Sequence, residues 1–205
     1  MKNKKKANQG IKKILLAAGK SERFGKKNKL SEIVNGKPLI NNILDTLLEI
    51  FDTSELTIIV GHEQKIIKNL INNEEIKILE NINYKKGIGT SISLAVKNLE
   101  THIKGVMIIP ADMPYITSKD LINLENKFWE YNCEKVIIPQ YNSKTGNPVI
   151  LPKIYFDTLK KLKDDFGART LIAEKDLITI KTGFGTILDI DTRDELDKAK
   201  IKFLI

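Results

Sequence analysis

Acidic side chains follow two apolar runs of the sequence, at the points where those runs end. Asp112 ends the run in VMIIPADMP, between two prolines, and Asp189 and Asp191 end the run in TILDIDT. In open α/β sheets, ligands bind outside the carboxyl ends of the parallel strands. Asp189 and Asp191 are two residues apart, which places them on one face of an extended segment. Carboxylates at such an edge are suited to Mg²⁺, a hard cation that completes its shell with water and phosphate oxygens.

A second interpretation of these aspartates is structural. An aspartate at the end of a strand often caps the helix that follows, and Asp191 stands directly before Thr192 and Arg193. Taken singly, each aspartate fits a helix cap better than a metal ligand. The metal interpretation gains weight only if cationic groups for phosphates lie beside these carboxylates.

A basic loop supplies such groups after the first apolar run. In ILLAAGKSERFGKKNKLS, residues 14–31, a buried strand stops at Gly19 and five cationic side chains follow within ten residues. The P-loop pattern would require glycine at position 14, and the dinucleotide pattern would require glycines at 21 and 24, so both are excluded. What remains is a strand-to-loop junction between Gly19 and Gly25 whose backbone N–H groups can face an anion. On charge alone, a solvated basic loop explains it as well.

Length and composition indicate one ordinary globular domain. The chain has 205 residues, of which 41% are hydrophobic and 29% charged. No apolar run approaches the roughly 20 residues of a membrane span, and the apolar stretch after the basic start is too short for a signal peptide. A single cysteine, Cys133, excludes an internal disulfide and fits a reducing compartment. We therefore expect a cytoplasmic protein without a membrane partner.

The net charge of +8 admits nucleic acid, an acidic membrane surface or a phosphorylated small molecule as partner. Part of the excess lies in the first thirteen residues, Lys12 and Lys13 included, and we interpret it as a disordered, solubilising tail. Aromatic residues do not interleave with basic ones as in proteins that stack bases. Nucleic acid is therefore the weaker option.

Apolar runs of strand length alternate with segments of helical period. This rhythm of continuous apolar strands predicts an α/β fold with a largely parallel sheet and helices on both faces. The predicted strands are 13–18, 56–61, 76–80, 135–140 and one within 105–114 that ends at Asp112, and the helices are 38–51, 63–71, 90–99 and 118–131. Thr90 and Ser91 are the expected caps of the third helix.

Beyond residue 140 the alternation of predicted strands and helices becomes less regular. Strands are predicted at 146–152, 177–182 and 186–190, and helices at 153–162, 167–175 and 193–203. No repeat, linker or composition shift marks a second domain. We predict a basic disordered tail, 1–10, and a single domain, 11–205, whose last third adds a substrate-facing insertion.

The motifs together resemble one enzyme family. LLAAGKSERFGKKNKL resembles the opening of the MobA-like nucleotidyltransferases, which join a nucleoside monophosphate to molybdopterin. The segments GIGTSISLAV, PADMP, GNPVILP, FGARTLI and DIDTRDEL follow in the order of the molybdenum cofactor cytidylyltransferase branch. The resemblance covers residues 14 to about 196. It implies a Rossmann-like three-layer α/β/α sandwich of the nucleotide-diphospho-sugar transferase type.

The resemblance also implies a reaction and roles for individual residues. CMP would pass from CTP to the terminal phosphate of molybdopterin with release of pyrophosphate, and Mg²⁺ would be the cofactor. Arg23, Lys29 and Asp112 would be catalytic, with Asp112 and Asp191 holding the metal and Asn147 and Arg169 near the second substrate. The implied nucleotide-binding residues are Leu16, Ala17, Ala18, Gly19, Arg23, Gly25, Lys29, Gly87 and Ser91.

The first motif bears on the choice of nucleotide. The cytidylyl branch has Leu-Ala-Ala-Gly, as here, and the guanylyl branch tends to have Leu-Ala-Gly-Gly, so a methyl group at Ala18 would favour a pyrimidine. Three features depart from the family pattern. Phe24 stands in place of methionine, and the lysines at 26, 27 and 29 make the first loop more basic than needed. Asp164 stands in place of a glycine, which leaves the second substrate open.

The alternatives are a sibling enzyme that uses GTP or acts on a sugar phosphate or another phosphorylated alcohol, and a non-catalytic nucleotide- or RNA-binding module. The cytidylyltransferase interpretation would add a transient contact with the molybdoenzyme that receives the cofactor.

Overall fold

The computed structural model describes residues 10–21, 24, 28–164, 172 and 176–202, the last five by their backbone alone. Its strands are β1 (Ile11–Ala17), β2 (Ile33–Val34), β3 (Lys37–Pro38), β4 (Leu56–Val60), β5 (Lys77–Glu80), β6 (Gly105–Pro110), β7 (Val136–Tyr141), β8 (Lys144–Thr145), β9 (Val149–Pro152) and β10 (Leu177–Lys181). Its helices are α1 (Leu39–Ile50), α2 (Gln64–Leu70), α3 (Ile88–Lys97), α4 (Ser118–Glu130), α5 (Phe156–Leu159) and α6 (Arg193–Lys202). Within the described ranges, no helix is long and apolar enough to cross a bilayer.

The main sheet is mostly parallel, which confirms the predicted α/β class. Its order is β10-β7-β9-β6-β1-β4-β5, and β8 pairs with β7 outside this path. β1 lies at the centre and pairs in parallel with both β4 and β6. β9 runs antiparallel to β6 and β7, and the short β8 runs antiparallel to β7.

The side chains of the strands alternate between two separate hydrophobic cores, one on each face of the sheet. Ile11, Leu15 and Ala17 of β1 belong to the core under α1 and α4, and Ile14 with Ala18 belongs to the core under α3 and α5. Successive side chains of a strand point to opposite faces, so a strand covered on both faces is apolar along most of its length. The result is a three-layer sandwich of helices, sheet and helices.

The interpretation of the charges of Lys12 and Lys13 as part of a solubilising tail was wrong, because both residues lie in β1. The Lys13 side chain is completely buried, and its Nζ lies 2.6 Å from Glu55 Oε2 and 3.3 Å from Glu125 Oε1. The same ammonium lies 3.9 Å from the centre of the Phe51 ring. A buried charge is tolerated only with partners, and sequence patterns along one strand do not reveal partners on other elements. Gly10 also belongs to the domain, since its carbonyl accepts from Lys104 N at 2.7 Å.

The predicted strand at 186–190 is absent and is replaced by a 3₁₀ turn at Phe184–Ile187. Its backbone groups bond to loops: Asn147 N donates to Thr186 O at 2.8 Å, and Ile190 N donates to Asp112 O at 3.0 Å. The segment therefore crosses the edge of the sheet. The predicted helix 153–162 contracts to a 3₁₀ turn and α5, and most of the predicted helix 167–175 lies outside the described residues.

The parallel register brings the carboxyl ends of the central strands to one edge. Ala17 pairs with Val60, and Leu16 pairs with Pro110, so β1, β4 and β6 end together. Asp112 follows β6 by two residues. The antiparallel pairing of Ile108 with Val149 brings the start of β9, and with it Asn147, to the same edge.

Candidate active site

A cleft of about 400 Å³ opens at this edge of the sheet. Residues from the ends of β1 and β6, from the loop before α3 and from the segment before α6 line it. Eight of the residues implied by the resemblance are among them: Leu16, Ala18, Gly19, Lys29, Gly87, Ser91, Asp112 and Asp191. Of the two cations expected beside the carboxylates, Lys29 lies in the same cleft as Asp112 and Asp191, and Arg23 lies outside the described residues.

Lys29 joins the two carboxylates at the floor of the cleft. Its Nζ lies 2.6 Å from Asp112 Oδ2 and 2.7 Å from Asp191 Oδ1. Burial disfavours the charged ammonium, but the neighbouring carboxylates outweigh burial and raise the pKa of Lys29 above its ordinary value of 10.5. Lys29 is therefore a cation at every pH of interest.

The donor set at this point fits a divalent cation. Two carboxylates and one ammonium leave a net negative charge, and Asp112 Oδ1 is buried without a hydrogen-bond partner. A buried carboxylate oxygen without a partner is unfavourable unless a cation or a water molecule binds it. Among the described residues no group of three or more His, Cys, Asp or Glu side chains could hold a metal. An ion held by Asp112 and Asp191 would thus need oxygens from substrate and water.

Local hydrogen bonds fix the backbone that carries Lys29. Lys29 begins a 3₁₀ turn, Lys29–Ser31, which the buried side chain of Asn28 caps by accepting from Leu30 N at 3.1 Å. Phe24 is 1% exposed and belongs to the core under α1 and α4. Arg193 on α6 donates from Nε to Phe24 O at 3.3 Å, which ties Phe24 to the segment that carries Asp191.

Thr192 and Glu195 cap α6, so Asp191 is not required as its cap. Thr192 Oγ1 accepts from Glu195 N at 3.2 Å, and Glu195 Oε2 accepts from Thr192 N at 2.8 Å. This reciprocal pair is a capping box. The Asp191 carboxylate faces Lys29, and the structural interpretation of Asp191 as a cap is therefore wrong.

Asn81 organises the opposite wall of the cleft. It is 4% exposed, and its Nδ2 lies 2.8 Å from both Thr90 Oγ1 and Ser91 Oγ. These hydroxyls lie within the first turn of α3, so the expectation that they cap the helix was wrong; Gly87 occupies that position. Gly87 has φ of 115°, a conformation that a residue with a Cβ rarely adopts.

Several predicted site residues do not line the cleft. Ala17 is 1% exposed and points into the core, because it alternates with Leu16 and Ala18 along the strand. Asn147 bonds through its backbone to the 3₁₀ turn after β10 and is not part of the cleft wall. Asp189 is exposed. Arg23, Gly25 and Arg169 lie outside the described residues.

Lys20, Tyr84 and Lys85 are among the lining residues that were not assigned from the sequence. Lys20 follows the first glycine, and Tyr84 with Lys85 precedes Gly87. The stretch Tyr-Lys-Lys-Gly had a usable signal, because cations directly before a glycine at a helix start are an anion-binding arrangement. Tyr84 and Lys85 reach the cleft only because of the fold of the loop between β5 and α3.

Residues 13–178 match the family model of the MobA-like NTP transferase domain. The chain is 25% identical to the molybdenum cofactor cytidylyltransferase of Escherichia coli over 192 residues, which are 93% of this chain and 95% of that protein. It is 30% identical to the bifunctional protein GlmU of Pseudothermotoga lettingae over 135 residues, 65% of this chain, and spans only 29% of that longer protein.

Solved structures confirm the fold. The manganese complex of Rv0371c from Mycobacterium tuberculosis H37Rv superimposes with a TM-score of 0.75 at 17% identity, over 94% of this chain and 98% of that one. The family match, which covers most of the chain, also establishes the class of enzyme. The chain belongs to the MobA-like NTP transferase family and is a nucleotidyltransferase.

Proposed function

We propose that this nucleotidyltransferase transfers CMP from CTP to the terminal phosphate of molybdopterin and releases pyrophosphate. The observation that carries the proposal is the contact of Lys29 with Asp112 and Asp191 inside one cleft, at the edge where β1 and β6 end. The similarity to the E. coli cytidylyltransferase over nearly the whole of both chains supports this choice of substrates.

The reaction needs positioning and charge neutralisation. An oxygen of the acceptor phosphate attacks the α-phosphorus of CTP, the bond from that phosphorus to the bridging oxygen breaks, and pyrophosphate leaves with the electron pair. A phosphate acceptor is ionised at neutral pH, so the attack requires no general base. In agreement with this, neither His62 nor His102 lines the cleft.

We assign the cations of the cleft to the nucleotide phosphates. Lys29 serves the α-phosphate, where an ammonium stabilises the charge of the transition state. The exposed backbone at Gly19 serves the rest of the nucleotide, with Arg23 and Gly25 of the following loop facing the triphosphate. Asn147 and Arg169 are assigned to the acceptor, in keeping with the position of Asn147 at the same sheet edge.

Asp112 and Asp191 are proposed to hold Mg²⁺, because their charge exceeds that of Lys29 and Asp112 Oδ1 is unpartnered. When bound, the ion supplies further neutralisation of the phosphate oxygens. The manganese complex of a structural neighbour supports a divalent cation in this fold.

Transfer assays with each of the four NTPs, labelled at the α-phosphate, test the proposal. Molybdopterin is the acceptor, and a labelled molybdopterin dinucleotide is the product. We expect incorporation from CTP at least tenfold above that from GTP, UTP or ATP. Preferred use of another nucleotide, or no transfer to molybdopterin, would contradict the proposal.

A sugar 1-phosphate is the second candidate acceptor. The match to GlmU over 65% of this chain favours it, and a sugar 1-phosphate offers the same ionised phosphate oxygen as molybdopterin. The same assay with glucose 1-phosphate and N-acetylglucosamine 1-phosphate separates the two, because pyrophosphate release that depends on a sugar phosphate would select the sibling activity.

A further inference from the structure

We infer that Tyr84 is a specificity-determining residue that, together with Ala18, excludes purine bases from the cleft. The inference rests on the proposed function for the position of the nucleotide, and it adds a second wall to the base site. Tyr84 lies in the 3₁₀ turn Tyr84–Lys86 between β5 and α3, and both Tyr84 and Ala18 line the cleft.

Gly61 lets these two side chains approach each other. A Cβ added to Gly61 would lie 2.7 Å from Tyr84 Cβ and 3.0 Å from Ala18 Cβ, so the space beside this glycine is already filled by both. Ala18 is 5% exposed, and Tyr84 packs against the same apolar core. The methyl group and the phenol ring therefore form one continuous surface across the ends of β1 and β4.

The polypeptide holds Tyr84 in this position through Asn81. Asn81 N donates to Val60 O at 2.8 Å, and Tyr84 N donates to Asn81 O at 3.3 Å. Asn81 Oδ1 accepts from Asn83 N at 2.9 Å, and its Nδ2 reaches the hydroxyls at the start of α3. The loop is thus bonded to the sheet on one side and to α3 on the other, which holds the backbone of Tyr84 in place.

The chemistry of this end of the cleft suits a flat base. The charged groups Lys29, Asp112 and Asp191 gather at the end of β6, and the ring of Tyr84 lies across β1 at the end of β4. Ile88, 43% exposed, and Ser91 line the same cleft as Tyr84. An aromatic ring, an aliphatic side chain and one hydroxyl are typical of a site that stacks a base and bonds its edge.

Replacement of Tyr84 by alanine tests the inference. The variant keeps Gly61 and Ala18 and removes only the ring, so the base site gains the volume of a second ring. We expect the ratio of kcat/KM for GTP to that for CTP to rise about tenfold or more, the discrimination that hydrophobic pockets provide. Tyr84→Phe is the matched control, because it retains the ring, and its ratio should equal that of the wild type.

Ala18→Gly and the double variant complete the design. If both residues form one wall, the increases in the GTP to CTP ratio will not multiply, because either opening already admits the purine. Nucleotide Kd values without acceptor and the Tm of each variant accompany the kinetics. A mere loss of stability lowers activity with all nucleotides and leaves their ratio unchanged.

The outcomes separate the inference from the proposed function. Wild-type preference for CTP with an unchanged ratio in Tyr84→Ala overturns the inference alone. Wild-type preference for UTP, with increased purine use by Tyr84→Ala, supports the inference and overturns CTP as substrate. Wild-type preference for a purine overturns both.

Discussion

Lys29 carries one positive charge between two carboxylates. Its contacts of 2.6 and 2.7 Å lie at the short end of charge-assisted hydrogen bonds. The side chain is 12% exposed, so water screens these charges little. The two carboxylates therefore hold the ammonium in place, and in the proposed reaction it would stabilise the transferred phosphate without reorganisation.

Lys29→Ala is expected to slow the chemical step about 10²- to 10³-fold, since it removes one preorganised charge contact. Single-turnover rates at saturating CTP measure this, and equilibrium titration gives the nucleotide affinity. Lys37→Ala is the control, because Lys37 is an exposed lysine paired with Asp45. A change confined to nucleotide affinity would identify Lys29 as a binding residue only.

Substitutions at Asp191 and Asp189 test which carboxylate of the segment before α6 binds the metal. Asp191 faces Lys29 in the cleft, and Asp189 is exposed outside it. Asp191→Asn is expected to raise the metal concentration needed for half-maximal activity at least tenfold, whereas Asp189→Asn should change it less than threefold. Titration of activity with Mg²⁺ gives both values. Equal effects of the two substitutions would refute the assignment of Asp191.

At the scale of the elements, β1 serves two purposes through alternation. Leu16 and Ala18 face the cleft, and Ala17 and Lys13 face the core beneath α1 and α4. The apolar run predicted this strand correctly. It did not predict the ion pairs of Lys13, because Glu55 and Glu125 come from elements 42 and 112 residues away.

The ion cluster of Lys13 gives a pH-dependent prediction. Burial raises the pKa of Glu125 above its ordinary value of 4.5, even though Lys13 partly offsets this. The folded state then holds the proton more tightly than the unfolded state, so stability falls as the pH rises from 4.5 through the raised pKa.

Glu125→Gln removes this penalty. We expect the variant to be more stable than the wild type at pH 7 and to lose this advantage below pH 4.5, where Glu125 is protonated in both states. Urea unfolding at the two pH values measures the difference. A variant that is less stable at pH 7 would show that the ionised Glu125 is favourable for Lys13.

The mistaken strand at 186–190 has a physical explanation. Its two ends are buried, as they would be in a strand: Thr186 and Ile190 are completely buried, and Ile187 and Leu188 between them are half-buried. Burial arises here from packing across the sheet edge, where Gly185 lies against the carbonyl of Tyr115. A pattern of apolar residues indicates which residues are buried, but it does not indicate what the backbone N–H and C=O groups bond to. The sequence alone therefore does not distinguish a strand of the sheet from a buried segment that bonds to loops.

At the scale of the whole molecule, the parallel register explains why the site was predictable. Asp112, Gly19 and Gly87 are far apart in sequence, yet each follows the carboxyl end of a strand or the loop beyond it. The wall around Tyr84 was not predictable, because it depends on the hydrogen bonds of Asn81 and on the space above Gly61.

Metal-dependent transfer by Asp112→Asn tests the central claim most directly, namely that the carboxylates and Lys29 form one catalytic centre. The substitution keeps the size of the side chain and removes its charge, so the Tm should stay within a few degrees of the wild type. We predict that Mg²⁺-dependent release of pyrophosphate from CTP and molybdopterin falls at least a hundredfold, in line with the several kcal/mol that a metal contributes to such a transition state. Release at a rate near that of the wild type would contradict the account.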